Sequence, residues 1–462
     1  MGGLSATLTL PDYGRVARHS DTIAKMAGGP NLGLADLSEK ILLACGHLSY
    51  HPGAMACNKL ARLLLLALLA VIFVRANDGW AQTDTNLLAL THANLIDGTS
   101  PEARRDVTVL IRGARIENIT LGSVALPVGA NVLDLQGRWL LPGFVDAHTH
   151  VADLASARRA LRFGATTVRV LGVPHFVDVG MRELNRGGMS DIPGVVASGY
   201  QIRPDLAEEF FLDFPEMSAS MKGLHGPDNL RRVVRILAEH HLDVIKVLAT
   251  ERAGTPETDP RKRTFSDEEL TAIVDEARKT GLPVAAHAHA DEGARGAVLG
   301  GVRSIEHGTY LSDETLTLMK ARGTYLVPTI SFFNSQSADP ILQIRARTMQ
   351  PRVRETAARA WKIGIRIVAG SDNTYDASRS RGVADEVAEL VRIGMPPMDA
   401  IKAATAVSAE CLGVEKRVGT IKPGMTADFI VVDRDPLTDI SSLQDLLVVI
   451  HDGKVIVNRL YP

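Results

Sequence analysis

The chain has 462 residues, enough for one large domain with a smaller partner or for two to three ordinary domains. Hydrophobic residues make up 45% and charged residues 23%, an ordered globular composition that excludes a disordered or fibrous chain. With 51 basic against 53 acidic residues the net charge is -2, which gives no sign of the strongly basic face that nucleic acid selects.

Residues 1–54 carry no sustained periodicity and no readable chemistry. Residues 55–81 read MACNKLARLLLLALLAVIFVRANDGWA, with Lys59 and Arg62 ahead of an apolar run from Leu63 to Val74 and small residues, Gly79 and Ala81, near its end. This is the pattern of a secretory signal peptide, and the run is shorter than the ~20 residues of a spanning helix, so no permanent anchor is expected. Met55 opens a well-formed signal, so 1–54 is read as an upstream extension from a misassigned start, and the protein as exported, periplasmic or secreted. Cys45 and Cys57 precede the cleavage region, which leaves Cys411 alone and no intrachain disulfide.

Residues 84–141 alternate apolar and polar in short runs broken by turn residues, as in LLALTHANLIDG and DVTVLIRGARIENI. From 142 to 413 the texture changes to apolar runs separated by helix-period stretches. Eight strand candidates follow one another: VDAHTH, ATTVRVLG, PGVVASGY, LDVIKVLA, PVAAHAH, VRSIEH, TYLVPT and IRIVAGSD. Strand texture without helices returns over 414–462 in ADFIVVD and VVIHDGKVIVN. The expected fold is therefore α/β, a (β/α)8 TIM-type barrel, with a small β-sandwich domain formed from both ends of the mature chain.

In such a barrel functional side chains collect at the C-terminal ends of the strands. His148 and His150 end the first candidate, Lys246 sits in the fourth, His287 in the fifth, His307 in the sixth and Asp372 in the eighth. Residues at i and i+2 of a strand share a side, so His148 and His150 can aim at one point. Imidazoles and a carboxylate are good Zn²⁺ ligands; a lone HxH is commonplace, but two further histidines and an aspartate on separate strands point to metal. Lys246, flanked by Val244, Ile245, Val247 and Leu248, would be costly to bury unpaired. It either reaches an ion pair at the barrel rim or has reacted with CO2 to give a carbamate able to bridge two metal ions. His289 shares a face with His287 and is read as either a substrate contact or a packing residue. Arg169 and Arg203 are basic residues near the rim and are read as solvated or structural.

With these residues in view, the chain resembles the amidohydrolase superfamily, in particular its binuclear, lysine-carboxylated branch of imidazolonepropionase-like and Xaa-Pro dipeptidase (prolidase) enzymes, which includes ochratoxinase. The likeness spans about residues 86–462 and rests on LLPGFVDAHTHV, GATTVRVLG, DVIKVLAT, GLPVAAHAHA, SIEHGTYL, GTYLVPT, VAGSD and PGMTADFIVVD, in that order. The resemblance implies that His148, His150 and Asp372 hold one metal ion, that His287 and His307 hold a second, and that carboxylated Lys246 bridges them. Zinc is the default metal, with manganese or cobalt compatible with the same donors. The chain departs from the family pattern at Val170, in SGYQIRPDLAEEFFLDFPEM after the third strand, and in ATERAGTPETDPRKR in place of a glycine-rich ATGG.

The implied chemistry is hydrolysis of a C–N amide bond by a metal-bridging hydroxide, in a dipeptide of Xaa-Pro type or an N-acyl amino acid. Asp372 would be the catalytic residue that orients the water and shuttles its proton to the departing amine. Cyclic amides, lactones, esters or phosphotriesters on the same cage, and a noncatalytic binding barrel, are the competing readings. A small-molecule substrate, no nucleic acid and a homo-oligomeric state complete the expectation.

Overall fold

Short apolar runs closed by glycine or by polar pairs become strands, and the amphipathic stretches between them become helices that cover the parallel strands. The computed structural model describes residues 87–334, 337–378 and 382–460. The extension and signal expected over 1–81 lie outside the described residues.

The N-terminal strands are β1 (Leu87–Leu95), β2 (Arg104–Arg112), β3 (Arg115–Leu121), β4 (Asn131–Asp134) and β5 (Trp139–Pro142). Next come β6 (Phe144–Thr149), β7 (Ala165–Val170), β8 (Gly194–Ala197), β9 (Gln201–Ile202), β10 (Ile245–Leu248), β11 (Val284–Ala290), β12 (Ser304–Tyr310) and β13 (Tyr325–Val327). The chain ends in β14 (Phe429–Val432), β15 (Leu446–His451) and β16 (Lys454–Asn458). Strands from both ends share one sheet of order β16-β15-β14-β5-β1-β2-β3, with β4 beside β1. Its apolar positions meet in one core containing Leu90, Val107, Val109, Leu140, Phe429, Val431 and Ile450. Burying both ends in one core is what returns the chain to its start.

The middle strands are all parallel and alternate with helices α1 (Leu154–Arg162), α2 (Val177–Arg186), α3 (Glu208–Asp213), α4 (Pro227–Ala238), α5 (Asp267–Lys279), α6 (Asp291–Gly300), α7 (Asp313–Arg322) and α8 (Pro340–Lys362). Three more helices follow: α9 (Val383–Arg392), α10 (Pro397–Ala403) and α11 (Ala406–Leu412). Local signals set the helix starts. Ser266 accepts from the Glu269 amide while Glu269 bonds back to Ser266, a reciprocal cap on α5 worth about 1 kcal/mol. Strands β6-β7-β8 form one sheet and β9-β10-β11-β12-β13 another. The third expected strand, PGVVASGY, contains β8, which pairs with β7, and β9 follows just beyond its end and pairs with β10.

The eighth expected strand, IRIVAGSD, is a run with two isolated bridges, Leu326 to Ile367 and Thr149 to Asn373. Its backbone bonds to β13 through the Leu326 and Val368 amides and to β6 through the Ala147 and Asp372 amides, at 2.8–3.1 Å. Gly370 allows this close passage, since a Cβ there would lie 2.8 Å from the His148 Cβ. The ladder is interrupted because the backbone turns to φ 52° at Asp372, which brings that side chain toward His148. Among the described residues no helix is long and apolar enough to cross a membrane.

Candidate metal centre

Alternation along β10 puts Ile245 and Val247 into the apolar layer and leaves Lys246 and Leu248 facing a cavity of about 190 Å³. The same rule on β11 buries Ala286 and Ala288 among apolar neighbours and turns His287 and His289 into that cavity. His148 reaches it from β6 and His150 from the residue just beyond the strand. On β12, strict alternation would send Glu306 and His307 to opposite faces. Glu306 sits beneath the cavity, bonded to His148, and φ 74° at His307 brings the next side chain to the cavity as well, just before the register with β11 shifts between Ala288 and Ala290. Left-handed backbone at His307, Thr329 and Asp372 costs about 1–3 kcal/mol each and is held by the surrounding packing.

All six residues expected at the site, together with His289, line this one cavity. Asp372 Oδ1 lies 3.2 Å from His150 Nε2 and 3.5 Å from His148 Nε2. The His287 and His307 rings are 4.5 Å apart and those of His148 and His307 5.0 Å apart, centre to centre. Ligand atoms converge in two groups that share His307: His148 with His307 and Asp372, and His287 with His289 and His307. His289 is therefore closer to the donor set than its expected role as a substrate contact implies. Its ring stacks on that of His307 at 4.6 Å.

Hydrogen bonds at the ring edges fix how these histidines face the cavity. His148 Nδ1 donates to Glu306 at 2.9 Å, and burial, which opposes ionisation of Glu306, is outweighed by Arg169 and His148, holding that carboxyl down at about 2. An ionised acceptor there leaves the Nε2 lone pair of His148 free toward Asp372. His289 Nδ1 meets Thr309 Oγ1 at 2.8 Å, and His307 Nδ1 meets Thr329 Oγ1 at 2.7 Å. Burial pushes His148 down to about 4, His289 to about 3, and His287 and His307 well below the ordinary imidazole value. At neutral pH these four rings are uncharged, the form in which imidazole is a ligand. Burial also opposes ionisation of Asp372, but His148 and His150 outweigh it and hold its carboxyl well below the usual carboxylate range.

Lys246 is the anomaly in this set. It is 1% exposed, its Nζ has no hydrogen-bond partner among the described residues, and burial lowers its pKa to about 8. A stranded ammonium at such a position costs several kcal/mol. The rim ion pair considered for it is absent among the described residues, so the amine points into the cavity with its bonding capacity unused. Neutral imidazoles, an ionised aspartate and an unsatisfied amine are a donor set suited to divalent cations.

Several functional neighbours escape a reading of the sequence. Glu306 is fully buried and bridges His148 to Arg169, whose Nη2 donates to it at 2.9 Å. Arg169 is thus structural, and buried rather than solvated, with its Nε donating to the Ala147 carbonyl at 2.6 Å. Asp146 accepts from the Ser371 amide at 2.9 Å and from the Tyr375 hydroxyl at 2.8 Å, tying β6 to the segment that bears Asp372. Arg252 lines the cavity from the loop after β10. Arg203 lies beside Asp205 at 4.0 Å. Cys411 is free and buried.

Comparison with known proteins identifies the family and the fold. The sequence profile of the Amidohydrolase family matches residues 139–456. The chain is 31% identical over 237 residues to ochratoxinase of Aspergillus niger, a match spanning 50% of this chain and 48% of that protein, about half its length. It is 26% identical over 392 residues to imidazolonepropionase of Pseudomonas fluorescens, covering 73% of this chain and 90% of that one. A solved Xaa-Pro dipeptidase with methionine bound in its active site superposes with a TM-score of 0.73 at 29% identity, over 80% of this chain and 99% of that one. A likeness of this extent gives the chain a TIM-barrel-type fold of mixed α and β content.

Proposed function

The chain belongs to the amidohydrolase family, and from that premise we propose that it is a metal-dependent hydrolase of a C–N amide bond in a small molecule, a dipeptide or an N-acyl amino acid. The observation that carries this reading is the buried, unsatisfied Lys246 amine among four neutral imidazoles and an ionised aspartate. His148, His150 and Asp372 would hold one cation and His287 and His307 a second, with Lys246 as a carbamate between them. His289 would contact the substrate or hold His307 in place. When bound, the cations supply Lewis-acid polarisation of the scissile carbonyl and a water of lowered pKa.

The chain's own residues do the rest. Asp372 takes the proton from the attacking water at its carboxylate and returns it to the departing amine nitrogen. Its low pKa keeps it ionised at neutral pH, and its Oδ1 lies 3.2 Å from His150 Nε2. Glu306 and Arg169 hold His148 in one tautomer, and the apolar walls formed by Leu248 and Phe332 exclude bulk water from the reacting atoms. We read the backbone bonds of 366–373 to both β6 and β13 as closing an eight-unit barrel, and the terminal sheet as a sandwich folded over its own core. Export through residues 55–81 rests on the sequence pattern alone.

Metal content of the purified protein and of its Lys246→Ala variant tests this reading. Close to two metal ions per chain, falling to one or fewer in the variant, is expected. One ion or none in the parent protein, after supplementation with metal and bicarbonate, would overturn the binuclear carbamate site.

A further inference from the structure

The loop from Ala249 to Ser266, between β10 and α5, forms one wall of the cavity and carries most of its charge on its outer side. Glu251 pairs with Lys262 at 2.6 Å and accepts from the Asp259 amide at 2.8 Å. Arg261 pairs with Asp259 at 3.2 Å and Arg263 with Asp267 at 2.5 Å. Arg252 stands apart from this set. It lines the cavity beside the imidazoles and Lys246, and among the described residues its guanidinium makes no hydrogen bond and no ion pair. Glu251, its neighbour in sequence, is turned away toward Lys262.

The surroundings of Arg252 add positive charge rather than cancel it. Burial and the nearby Arg203 both disfavour its charged form, and the opposing carboxylate, Asp205, is 81% exposed and held 4.0 Å from Arg203. A guanidinium keeps its charge even so, because its ordinary value lies far above neutrality. A half-buried cation beside another cation, facing a cavity, has unused capacity to bind an anion. Its planar fork matches a carboxylate in two parallel hydrogen bonds.

Arg345, on α8, holds this wall in place. Its Nη1 donates to the carbonyls of Ala253 at 2.9 Å and Thr255 at 2.6 Å, and its Nη2 to those of Pro256 at 3.1 Å and Thr258. One arginine is fully committed to the loop backbone, and the other is left free by it. Holding a binding group before the ligand arrives lowers the ordering cost of binding. The cavity, at about 190 Å³, is below the ~300 Å³ at which pockets begin to enclose drug-sized ligands, so the part bound inside is of amino-acid size.

We propose that Arg252 is the specificity-determining residue of this site and binds the free carboxylate of an N-acyl amino acid or dipeptide. The inference rests on the hydrolase reading for its substrate class, but carboxylate recognition can be measured apart from turnover. The probes are N-acetyl-L-alanine and N-acetyl-L-phenylalanine, each matched with the N-acetyl amino alcohol in which CH2OH replaces the carboxylate. Binding is read by calorimetry and cleavage by release of the free amine, for the metal-loaded parent protein, Arg252→Met and Arg252→Lys. The parent prefers each acid over its alcohol. In Arg252→Met that preference falls by about ten- to hundredfold in both affinity and kcat/KM, and Arg252→Lys retains part of it. An acid-to-alcohol ratio that is the same in all three proteins overturns the proposal. Cleavage of neither class, with acid binding that still depends on Arg252, would overturn hydrolysis of N-acyl amino acids and leave the carboxylate site standing.

Discussion

Glu306→Gln is the substitution that tests most directly how the scaffold controls the site. Glu306 is fully buried and accepts from His148 Nδ1 at 2.9 Å, from Arg169 Nη2 at 2.9 Å and from Ser304. Glutamine keeps the shape but removes the charge, which leaves Arg169, itself 2% exposed, as an uncompensated buried cation. Breaking a buried pair on one side costs about 3–5 kcal/mol. In a folded unit of this size, at ~2.1 cal/mol/K per residue, that corresponds to a fall in Tm of about 4–6 °C. The variant also frees His148 to carry its proton on Nε2, toward Asp372, so metal affinity falls by about ten- to hundredfold.

The two effects separate experimentally. Thermal unfolding of the metal-stripped proteins isolates the charge effect, and chelator competition on the loaded proteins reports affinity. The double variant Glu306→Gln/Arg169→Met removes both charges and regains more than half of the lost stability. The pH dependence has a definite sign. The folded pKa of Glu306 is about 2, below its ordinary 4.5, so its contribution is complete above about pH 4.5 and fades as pH falls toward 2. The gap between parent and variant is therefore constant from about pH 5 to 8 and narrows below 4.5. A metal-free Glu306→Gln protein that melts within about 1 °C of the parent, with unchanged metal affinity, would refute the reasoning.

Asp372→Asn preserves the left-handed backbone, which asparagine tolerates, so the protein still folds while turnover falls by about 10²- to 10⁴-fold; near-parental turnover at full metal content would remove Asp372 as the proton shuttle. Arg345→Met releases four loop carbonyls, and trypsin cleavage at Arg261 to Arg263 rises at least about tenfold; an unchanged rate would mean that the loop is held by other contacts. His451 is buried, and although burial opposes its charge, Asp428 at 2.9 Å raises its pKa above the ordinary 6.5. Its contribution is full below pH 6.5 and is lost as pH rises through the folded value, so Tm of the parent declines as pH rises above 6.5 by an amount missing in His451→Gln. Parallel curves for the two proteins would exclude His451 as the source.

The cluster of candidate donors was legible in the sequence because chemistry and periodicity coincide in it. His148 and His150, or His287 and His289, are polar residues at period two within apolar runs, and two such pairs with a lysine on parallel strands point to a site. Glu306 was not legible, because alternation assigns it to the face opposite His307, and only the left-handed backbone at His307 brings both near His148. For Arg169 the sequence left solvated and structural roles open, because its carboxylate partner lies 137 residues away, and the structure selects the structural one. The break in the eighth strand depends on φ at Asp372 and the close approach of Gly370 to His148, which are properties of packed backbones rather than of a local pattern. Arg252 was passed over because its significance is the lack of a partner, which only a three-dimensional list of neighbours can show.

Charge balance links the proposed metal site to the proposed carboxylate site. With Lys246 as an ammonium, the cavity holds that cation, Arg252 and the Asp372 anion, while Glu306 and Arg169 cancel beneath it. Such a cavity carries excess positive charge before any metal arrives, and a second cation would be repelled. Conversion of Lys246 to a carbamate turns one positive charge into one negative. Two divalent ions against Asp372 and the carbamate then leave two positive charges, to which Arg252 adds a third. That surplus suits an anionic nucleophile together with a substrate that brings its own carboxylate. It disfavours a cationic substrate, which would meet like charge from both ends of the cavity.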